Sequence, residues 1–129
     1  MPLLQFDVIQ GRSESELKTL LDAAHAAVVR AVKVPHRHRY QIVHEKKRYQ
    51  MVSEDTGLVL QRTENLLMVR VFTIPRSDEQ KHFFMAELAR EFEESCGIKG
   101  SDLMITFITN DKGDWSFGNG VAQYITGDL

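Results

Sequence analysis

The chain has 129 residues, of which 43% are hydrophobic and 26% charged, as is typical of a single globular domain with a buried core. Sixteen basic and eighteen acidic residues give a net charge of −2, so no overall positive field favours nucleic acid or an anionic membrane. No apolar stretch approaches the ~18 residues of a membrane span, and no signal-peptide pattern opens the chain. The single cysteine, Cys96, forms no intramolecular disulfide, and together these features predict a cytoplasmic protein.

The first half of the chain predicts a strand, a helix and a second strand. The first strand covers Leu3 to Val8, and alternate residues place an apolar set on one face: Leu4, Phe6 and Val8. Ser13 and Glu16 form a capping box, the pattern that satisfies the free N–H groups at a helix start. The helix carries an apolar stripe at helical spacing: Leu17, Leu20, Leu21, Ala24, Val28 and Ala31. It is expected to end at Val34-Pro35, and the second strand runs from Arg39 to His44.

The second half repeats this order 64 residues later. Its first strand, Leu67 to Phe72, is expected to place three residues on the equivalent face: Met68, Arg70 and Phe72. Ser77 opens a second capping box with Gln80. The helix that follows carries its own apolar stripe: Phe84, Met85, Leu88, Phe92 and Cys96. A Gly-containing loop ends this helix, and the last strand covers Leu103 to Thr109.

Two β-α-β units of this length imply parallel strand pairs joined by right-handed crossovers. The predicted fold is therefore α+β: duplicated β-α-β units form a four-stranded, mostly parallel sheet with two helices on one face. The chain is expected to be one domain, residues 1–129, with repeats of approximately 2–62 and 66–129. The intervening region, Tyr49 to Leu60, predicts short strands around a turn, and the Gly-rich tail from Asp114 to Gly120 predicts a hairpin or an arm. Open strand edges predict an oligomer.

Pro2 lies directly after the initiator methionine and before the first strand. Because initiator methionine is normally removed before a small residue, the mature chain is expected to begin with a free secondary amine. An unperturbed α-amino group titrates near pH ~8, and burial or neighbouring cations lower that pKa. Such an amine acts as an acid, a base or a nucleophile near neutrality. Its counterpart in the second half, Leu66, lies inside the chain, so only the first half can carry this chemistry.

Three further polar residues lie in loops where β-α-β units collect functional groups. Arg12 and Arg76 each precede a helix N-terminus, where an arginine can hold a carboxylate through paired hydrogen bonds. The alternative interpretation is that each arginine simply pairs with a neighbouring acidic residue. His38 lies just before the second strand, where it either contributes to a site or remains a solvated loop residue. His36 and His38 have no third ligand at a persuasive spacing, so no metal is predicted.

Aromatic residues near the C-terminus either pack the fold or form the wall of a small pocket. Trp115 and Phe117 belong to the Gly-rich segment, and Tyr124 follows it. An apolar wall around an amine and an arginine would strengthen their electrostatic effect and shift the pKa of the amine.

These features together resemble the tautomerase superfamily, and within it the malonate semialdehyde decarboxylase group over nearly the whole chain. Pro2, the duplicated units and Arg12 carry the superfamily resemblance. The group resemblance is carried by these stretches: Leu21-Asp22-Ala23-Ala24-His25, Arg39-Tyr40-Gln41-Ile42-Val43-His44-Glu45, Glu54-Asp55-Thr56-Gly57-Leu58, Ser95-Cys96-Gly97-Ile98, Ser101-Asp102, Asp114-Trp115-Ser116-Phe117-Gly118 and Thr126-Gly127-Asp128-Leu129.

The resemblance implies a homotrimeric enzyme without metal or organic cofactor that acts on a small oxo or enol carboxylate, and no nucleic-acid or membrane partner. In such enzymes the N-terminal proline works beside arginines that bind the substrate carboxylate. The implied catalytic residues are Pro2, His38 and Arg76, and the implied substrate-binding residues are Arg12, Ile74, Trp115, Phe117, Tyr124 and Leu129.

The chain departs from the decarboxylase pattern at two positions. His38 stands where the decarboxylases have an aspartate, and Ile74 where they have an arginine. The leading hypothesis is a tautomerase in which Pro2 moves a proton, Arg76 anchors a carboxylate and His38 assists as acid or base. One alternative is decarboxylation or hydration of a 3-oxo acid such as malonate semialdehyde. Another, of a different class, is a non-catalytic trimer that binds a small carboxylate.

Overall fold

The computed structural model describes every residue from Met1 to Leu129. Four strands and two long helices form the body, and a short third helix lies near the C-terminus. In chain order the elements are β1 (Leu3–Ile9), α1 (Glu14–Val32), β2 (Tyr40–Lys46), β3 (Leu67–Thr73), α2 (Asp78–Cys96), β4 (Leu103–Thr109) and α3 (Gln123–Thr126). The predicted order of elements in both halves is confirmed.

The strands form one mixed sheet in the order β2-β1-β3-β4. β1 pairs with β2 in parallel, β3 pairs with β4 in parallel, and the two central strands are antiparallel. In the central pair Leu3 lies opposite Phe72, and Val8 lies opposite Leu67. The end of β3 therefore lies beside the beginning of β1, which brings the loop after β3 to the N-terminus of the chain.

Both capping boxes form as predicted. The hydroxyl of Ser13 accepts the N–H of Glu16 at 3.1 Å, and the hydroxyl of Ser77 accepts the N–H of Gln80 at the same distance. Left-handed residues end both helices: Lys33 follows α1 with φ 56°, and Gly97 follows α2 with φ 66°. α1 thus stops slightly before the predicted Val34-Pro35 boundary.

The core lies between one face of the sheet and the two helices. Its sheet side comes from the two central strands: Leu4, Phe6, Val8, Leu67, Val69 and Val71. Its helix side comes from both apolar stripes and includes Leu20, Ala24, Val28, Phe84, Leu88 and Phe92. Burying each large side chain contributes about 1.5–3 kcal/mol, so this layer holds both helices on the same face of the sheet.

The expected equivalence of strand faces is wrong by one residue. Met68, Arg70 and Phe72 lie opposite Asp7, Gln5 and Leu3, on the face that points away from the helices. The helices keep the 64-residue offset, because α1 begins at Glu14 and α2 at Asp78. Apolar residues occupy alternate positions on both sides of β3, so alternation alone did not identify its buried face.

Of the two predicted irregular regions, the first differs from expectation and the second takes the form of the predicted arm. Between β2 and β3 there are no strands; a 3-10 turn covers Arg48–Gln50, and the chain then runs without regular structure to Leu66. Polar contacts fix this connection instead, since the carboxylate of the buried Asp102 accepts the N–H and the hydroxyl of Thr63 at 2.6 and 2.5 Å. The C-terminal tail is an arm built from a 3-10 turn (Lys112–Asp114) and α3, not a hairpin.

The face of the sheet opposite the helices remains open in the single chain. Tyr40, Ile42 and Ile108 on this face are 39%, 42% and 38% exposed. The contact between Asp7 and the guanidinium of Arg70 also lies here. No helix combines the length and the apolar character that crossing a lipid bilayer requires.

Candidate active site

The N-terminus lies in a half-enclosed position at the start of β1. Met1 is only 1% exposed, and its ammonium group donates to the carbonyl of His38 at 3.3 Å. Burial, assisted by the nearby charge of Arg76, lowers the pKa of this amine to about 6. Pro2 is buried directly behind it. The amine of Met1 is therefore mostly neutral at pH 7.

Arg76 approaches the same point from the second half of the chain, at the N-terminal end of α2. Its Nη2 donates to the carbonyl oxygen of Met1 at 3.3 Å, and its Nε donates to the hydroxyl of Thr73 at 3.2 Å. No carboxylate pairs with it, and burial lowers its pKa from the ordinary value. The Met1 carbonyl carbon is bonded to the nitrogen of Pro2, so Arg76 holds an oxygen atom directly beside that nitrogen.

His38 reaches the site from the loop before β2. Burial, followed by the nearby N-terminal ammonium and Arg37, lowers the pKa of its ring. The ring is therefore neutral at pH 7 and contributes no fixed charge beside the amine. No group of three His, Cys, Asp or Glu side chains converges anywhere in the structure to hold a metal ion.

An aromatic cluster on the C-terminal arm closes another side of the site. Phe117 stacks on Trp115 with 5.6 Å between ring centroids and meets Tyr124 edge-on at 5.6 Å. Tyr40 of β2 packs against the same ring at 5.4 Å. The arm is fixed by polar contacts: the indole N–H of Trp115 donates to Asn110 at 2.7 Å. Burial raises the pKa of Tyr124, so its hydroxyl stays protonated and can donate a hydrogen bond.

These groups surround a cavity of about 300 Å³, the size of a small-ligand pocket. Its lining consists of Met1, Arg37, His38, Tyr40, Phe117, Gln123, Tyr124, Asp128 and Leu129. The guanidinium of Arg37, the carboxylate of Asp128, the amine of Met1 and an aromatic wall meet in this space, and Arg76 adjoins it through its contact with Met1. The arrangement suits a small carboxylate that exchanges a proton with the amine.

The structure brings most of the residues predicted from the sequence to this cavity. His38, Phe117, Tyr124 and Leu129 line it, Trp115 supports Phe117 from behind, and Pro2 and Arg76 adjoin Met1. Ile74 is half-buried but does not line the cavity, although its carbonyl accepts the hydroxyl of Thr73 at 2.9 Å.

Arg12 is not brought to this cavity. It follows the far end of β1, where its Nη2 donates to the carbonyl and the side-chain oxygen of Asn65 at 3.5 and 3.4 Å. A strand of seven residues places its two ends roughly 20 Å apart at about 3.3 Å per residue. Within one chain Arg12 therefore lies too far from Pro2 to share a substrate with it, and its substrate-binding role remains a prediction.

Four lining residues were missed by the sequence reasoning: Arg37, Tyr40, Gln123 and Asp128. The first two flank positions already chosen, since Arg37 precedes His38 and Tyr40 begins β2. Their position at the junction between this loop and β2 was therefore the sequence feature that could have identified them. Gln123 also shapes the arm, because its side-chain oxygen accepts the N–H of Phe117 at 2.9 Å and its amide donates to the carbonyl of Gly118 at 2.8 Å. Nothing in the local pattern indicated that fold-back.

Comparison with known proteins places this geometry in a family. Two family models described as "Tautomerase enzyme" match residues 38–118 and 2–61. A relative described as probable tautomerase YrdN from Bacillus subtilis (strain 168) is 50% identical over 129 residues and covers 100% of both chains.

Solved structures agree. A malonate semialdehyde decarboxylase, described with decarboxylase and hydratase activities, is 44% identical with a TM-score of 0.96 and covers 98% of each chain. FG41 malonate semialdehyde decarboxylase inhibited by 3-bromopropiolate is 35% identical with a TM-score of 0.94, covering 98% of this chain and 97% of its own. A fused 4-OT described as a symmetric trimer is 24% identical with a TM-score of 0.79, covers 97% and 98%, and shows the shared fold.

Proposed function

The chain belongs to the tautomerase superfamily, and we propose that it moves a proton on a small oxo or enol carboxylate through the amine of Pro2 once Met1 has been removed. The superfamily is one of enzymes, and the relatives with high identity carry the same assignment. What is proposed is the reaction and the residues that perform it. Pro2 is the proton carrier, Arg76 binds the carboxylate, and His38 assists as acid or base.

One contact carries the proposal: the guanidinium of Arg76 donates to the Met1 carbonyl at 3.3 Å. Removal of Met1 would free the nitrogen of Pro2 and vacate the position of that oxygen. A substrate carboxylate oxygen bound in the vacated position would lie beside the proline nitrogen. The carbon next to that carboxylate, two bonds from the bound oxygen, and the enol group that it carries would then be within reach of the amine, as general base catalysis requires.

The charges around the amine favour a base rather than a permanent cation. The amine of Met1 has a pKa of about 6, lowered by burial and by Arg76, and the Pro2 amine would meet the same two influences. His38 is neutral in the position of the decarboxylase aspartate, so no anion there stabilises the protonated form. In the proposed reaction the neutral nitrogen accepts a proton from the enol hydroxyl, or from the carbon next to the carbonyl, and returns it to the other of these two positions. Arg76 stabilises the negative charge that develops meanwhile.

Decarboxylation or hydration of a 3-oxo acid is the second candidate. The 44% identity and TM-score of 0.96 with malonate semialdehyde decarboxylase favour it. In that reaction a protonated Pro2 would polarise the 3-carbonyl, and His38 would take the place of the aspartate. Release of carbon dioxide from malonate semialdehyde, lost in Arg76→Ala, separates this candidate from tautomerisation.

We further propose a homotrimer in the cytoplasm. The open sheet face carries Tyr40, Ile42 and Ile108 with about two-fifths of each side chain exposed, and a fused 4-OT of the same fold forms a symmetric trimer. A stable monomer rarely leaves such a face uncovered. The single free cysteine, Cys96, suits a reducing compartment. Light scattering of the purified protein tests the trimer.

The test of the function combines mass and turnover. Intact mass would establish whether Met1 is absent, and 3-bromopropiolate should leave one adduct that maps to Pro2. The processed wild-type protein should ketonise the enol of phenylpyruvate, followed by ultraviolet absorbance. Pro2→Ala, which replaces the secondary amine with a primary amine at the same place, should lose most of this activity while the fold is retained. Equal activity in Pro2→Ala and the wild type would refute the proposed role of the proline.

A further inference from the structure

His25 is a buried titratable residue that the proposed reaction does not use. It lies on α1, is 3% exposed, and does not line the active-site cavity. Its Nε2 lies 2.6 Å from the carbonyl oxygen of His36. Because a carbonyl only accepts, Nε2 must carry the proton and donate it.

The surroundings of His25 keep the ring neutral. Burial is the main influence that lowers its pKa, and Arg39, His36 and the N-terminal ammonium lower it further. The hydrogen bond to the His36 carbonyl acts in the opposite direction without outweighing them. Asp22, one turn earlier on α1, is engaged by Arg39 at 2.8 Å. The ring of His36 meets that of His25 edge-on, with 4.8 Å between centroids.

The carbonyl that His25 holds belongs to the loop that forms one side of the active site. Arg37 and His38 follow His36 and line the cavity, and the carbonyl of His38 accepts the N-terminal amine at 3.3 Å. Within the loop, the N–H of His38 donates to the carbonyl of Pro35 at 2.9 Å. His25 therefore holds the loop at His36, two residues before His38, whose carbonyl contacts the amine.

The other side-chain hydrogen bonds between this segment and α1 lie beyond His38. Arg39 donates to Asp22 with both side chains substantially exposed, and such pairs contribute little to stability. The side chain of Gln41 donates to the carbonyl of Leu21 at 2.7 Å, inside β2. Ahead of His38, Val34 packs against the core, and His25 supplies the side-chain hydrogen bond to the loop from a buried position.

We propose that His25 is a positioning residue, whose hydrogen bond to the His36 carbonyl sets the place of His38 beside the Pro2 amine. This rests on the proposed function, because His38 matters to turnover only if it assists proton transfer. His25 itself touches neither substrate nor amine. Its loss should displace His38 and leave the carboxylate contact of Arg76 in place.

The test compares two amides that differ in where they place an N–H. The Nε2 of glutamine lies about as far from Cβ as the Nε2 of histidine, whereas the Nδ2 of asparagine lies one bond short. His25→Asn should lower kcat for ketonisation of the phenylpyruvate enol by about ten-fold, the effect of one lost buried hydrogen bond, with KM little changed. His25→Gln should stay within about two-fold of the wild type.

A double variant separates positioning from a general loss of structure. In a His38→Ala background, His25→Asn should have no further effect on kcat, because both changes act through the same group. A full additional ten-fold loss in the double variant would overturn the proposal. So would a His25→Asn variant that keeps the kcat of the wild type.

An NMR titration supplies a readout that does not depend on turnover. The pKa of the His38 ring should differ from the wild type in His25→Asn and match it in His25→Gln. If the wild type and Pro2→Ala ketonise the enol equally, the proposed function fails, but this titration still tests the positioning of His38. An identical His38 titration in all three proteins would overturn the role of His25.

Discussion

Replacing Arg76 with alanine tests the geometry of the site most directly. Its Nη2 contacts the oxygen beside the Pro2 nitrogen at 3.3 Å, while its Nε is occupied by Thr73 at 3.2 Å. The terminal nitrogens of the Arg76 guanidinium are therefore the donors that remain available to a substrate carboxylate. A hydrogen bond from a charged donor contributes about 1.5–3 kcal/mol, which corresponds to a loss of roughly 10- to 150-fold in kcat/KM at 1.36 kcal/mol per ten-fold.

The pH dependence should change in the same variant. Arg76 is the second cause, after burial, that lowers the pKa of the N-terminal amine. Without it the pKa of the Pro2 amine should rise, and the pH at which kcat/KM reaches half its plateau should move upward. Arg76→Lys should keep this electrostatic effect but recover only part of the binding, since an ammonium lacks the planar fork of the guanidinium.

Arg12→Ala is the matched control, because the chain supplies the same side chain at the equivalent place in its other half. It contacts Asn65 at the far end of β1, so kcat/KM for the phenylpyruvate enol should remain that of the wild type. A loss in Arg12→Ala as large as in Arg76→Ala would contradict the placement of the site at the start of β1. So would an Arg76→Ala variant with unchanged kcat/KM and an unchanged pH profile.

Three further outcomes are expected. Inhibiting methionine aminopeptidase during expression should yield protein that retains Met1. This form should show no turnover and no adduct with 3-bromopropiolate, because the Pro2 nitrogen is then an amide without basicity. An adduct on Pro2 in this form would contradict the prediction. The anion of His38→Asp should raise the pKa of the Pro2 amine. Adding Ile74→Arg, which supplies a second cation for the carboxylate, should increase carbon dioxide release from malonate semialdehyde, measured by coupled assay; unchanged release would mean that these positions do not set the reaction. Finally, the folded-state pKa of His25 lies below its ordinary 6.5, so the unfolded chain binds this proton first on acidification. The contribution of His25 to the unfolding free energy should therefore be lost as pH falls from about 6.5 through the lower folded-state pKa. Urea titrations of His25→Gln should lack that part of the loss.

Much of the fold was predictable because its signals are local. Ser13 and Ser77 each begin a capping box, and both boxes form. The apolar stripes of the two helices form the core side of α1 and α2. Such patterns depend on neighbours three or four residues away, so they can be recognised without knowledge of the tertiary structure.

The errors arose where distant contacts decide the structure. The region from Tyr49 to Leu60 contains turn residues and apolar residues, yet no strand forms there. Its end is fixed by Thr63 on the buried carboxylate of Asp102, 39 residues away. Likewise no local pattern reveals that β1 and β3 are antiparallel, which is what brings Arg76 beside the start of β1.

That antiparallel pair explains why a duplicated chain has one active site of this kind. Each half delivers an arginine to the start of the other half's first strand, and the two contacts have the same form: Arg76 donates to the carbonyl of Met1 at 3.3 Å, and Arg12 donates to the carbonyl of Asn65 at 3.5 Å. An aminopeptidase can remove Met1, which exposes the nitrogen of Pro2 and leaves the Nη2 of Arg76 without the acceptor that Met1 supplied. Asn65 lies inside the chain, so its carbonyl stays in place and the nitrogen that follows it remains an amide without basicity. In the proposed function, the same hydrogen bond therefore prepares a substrate position in one half, whereas in the other half it only holds a connection in place.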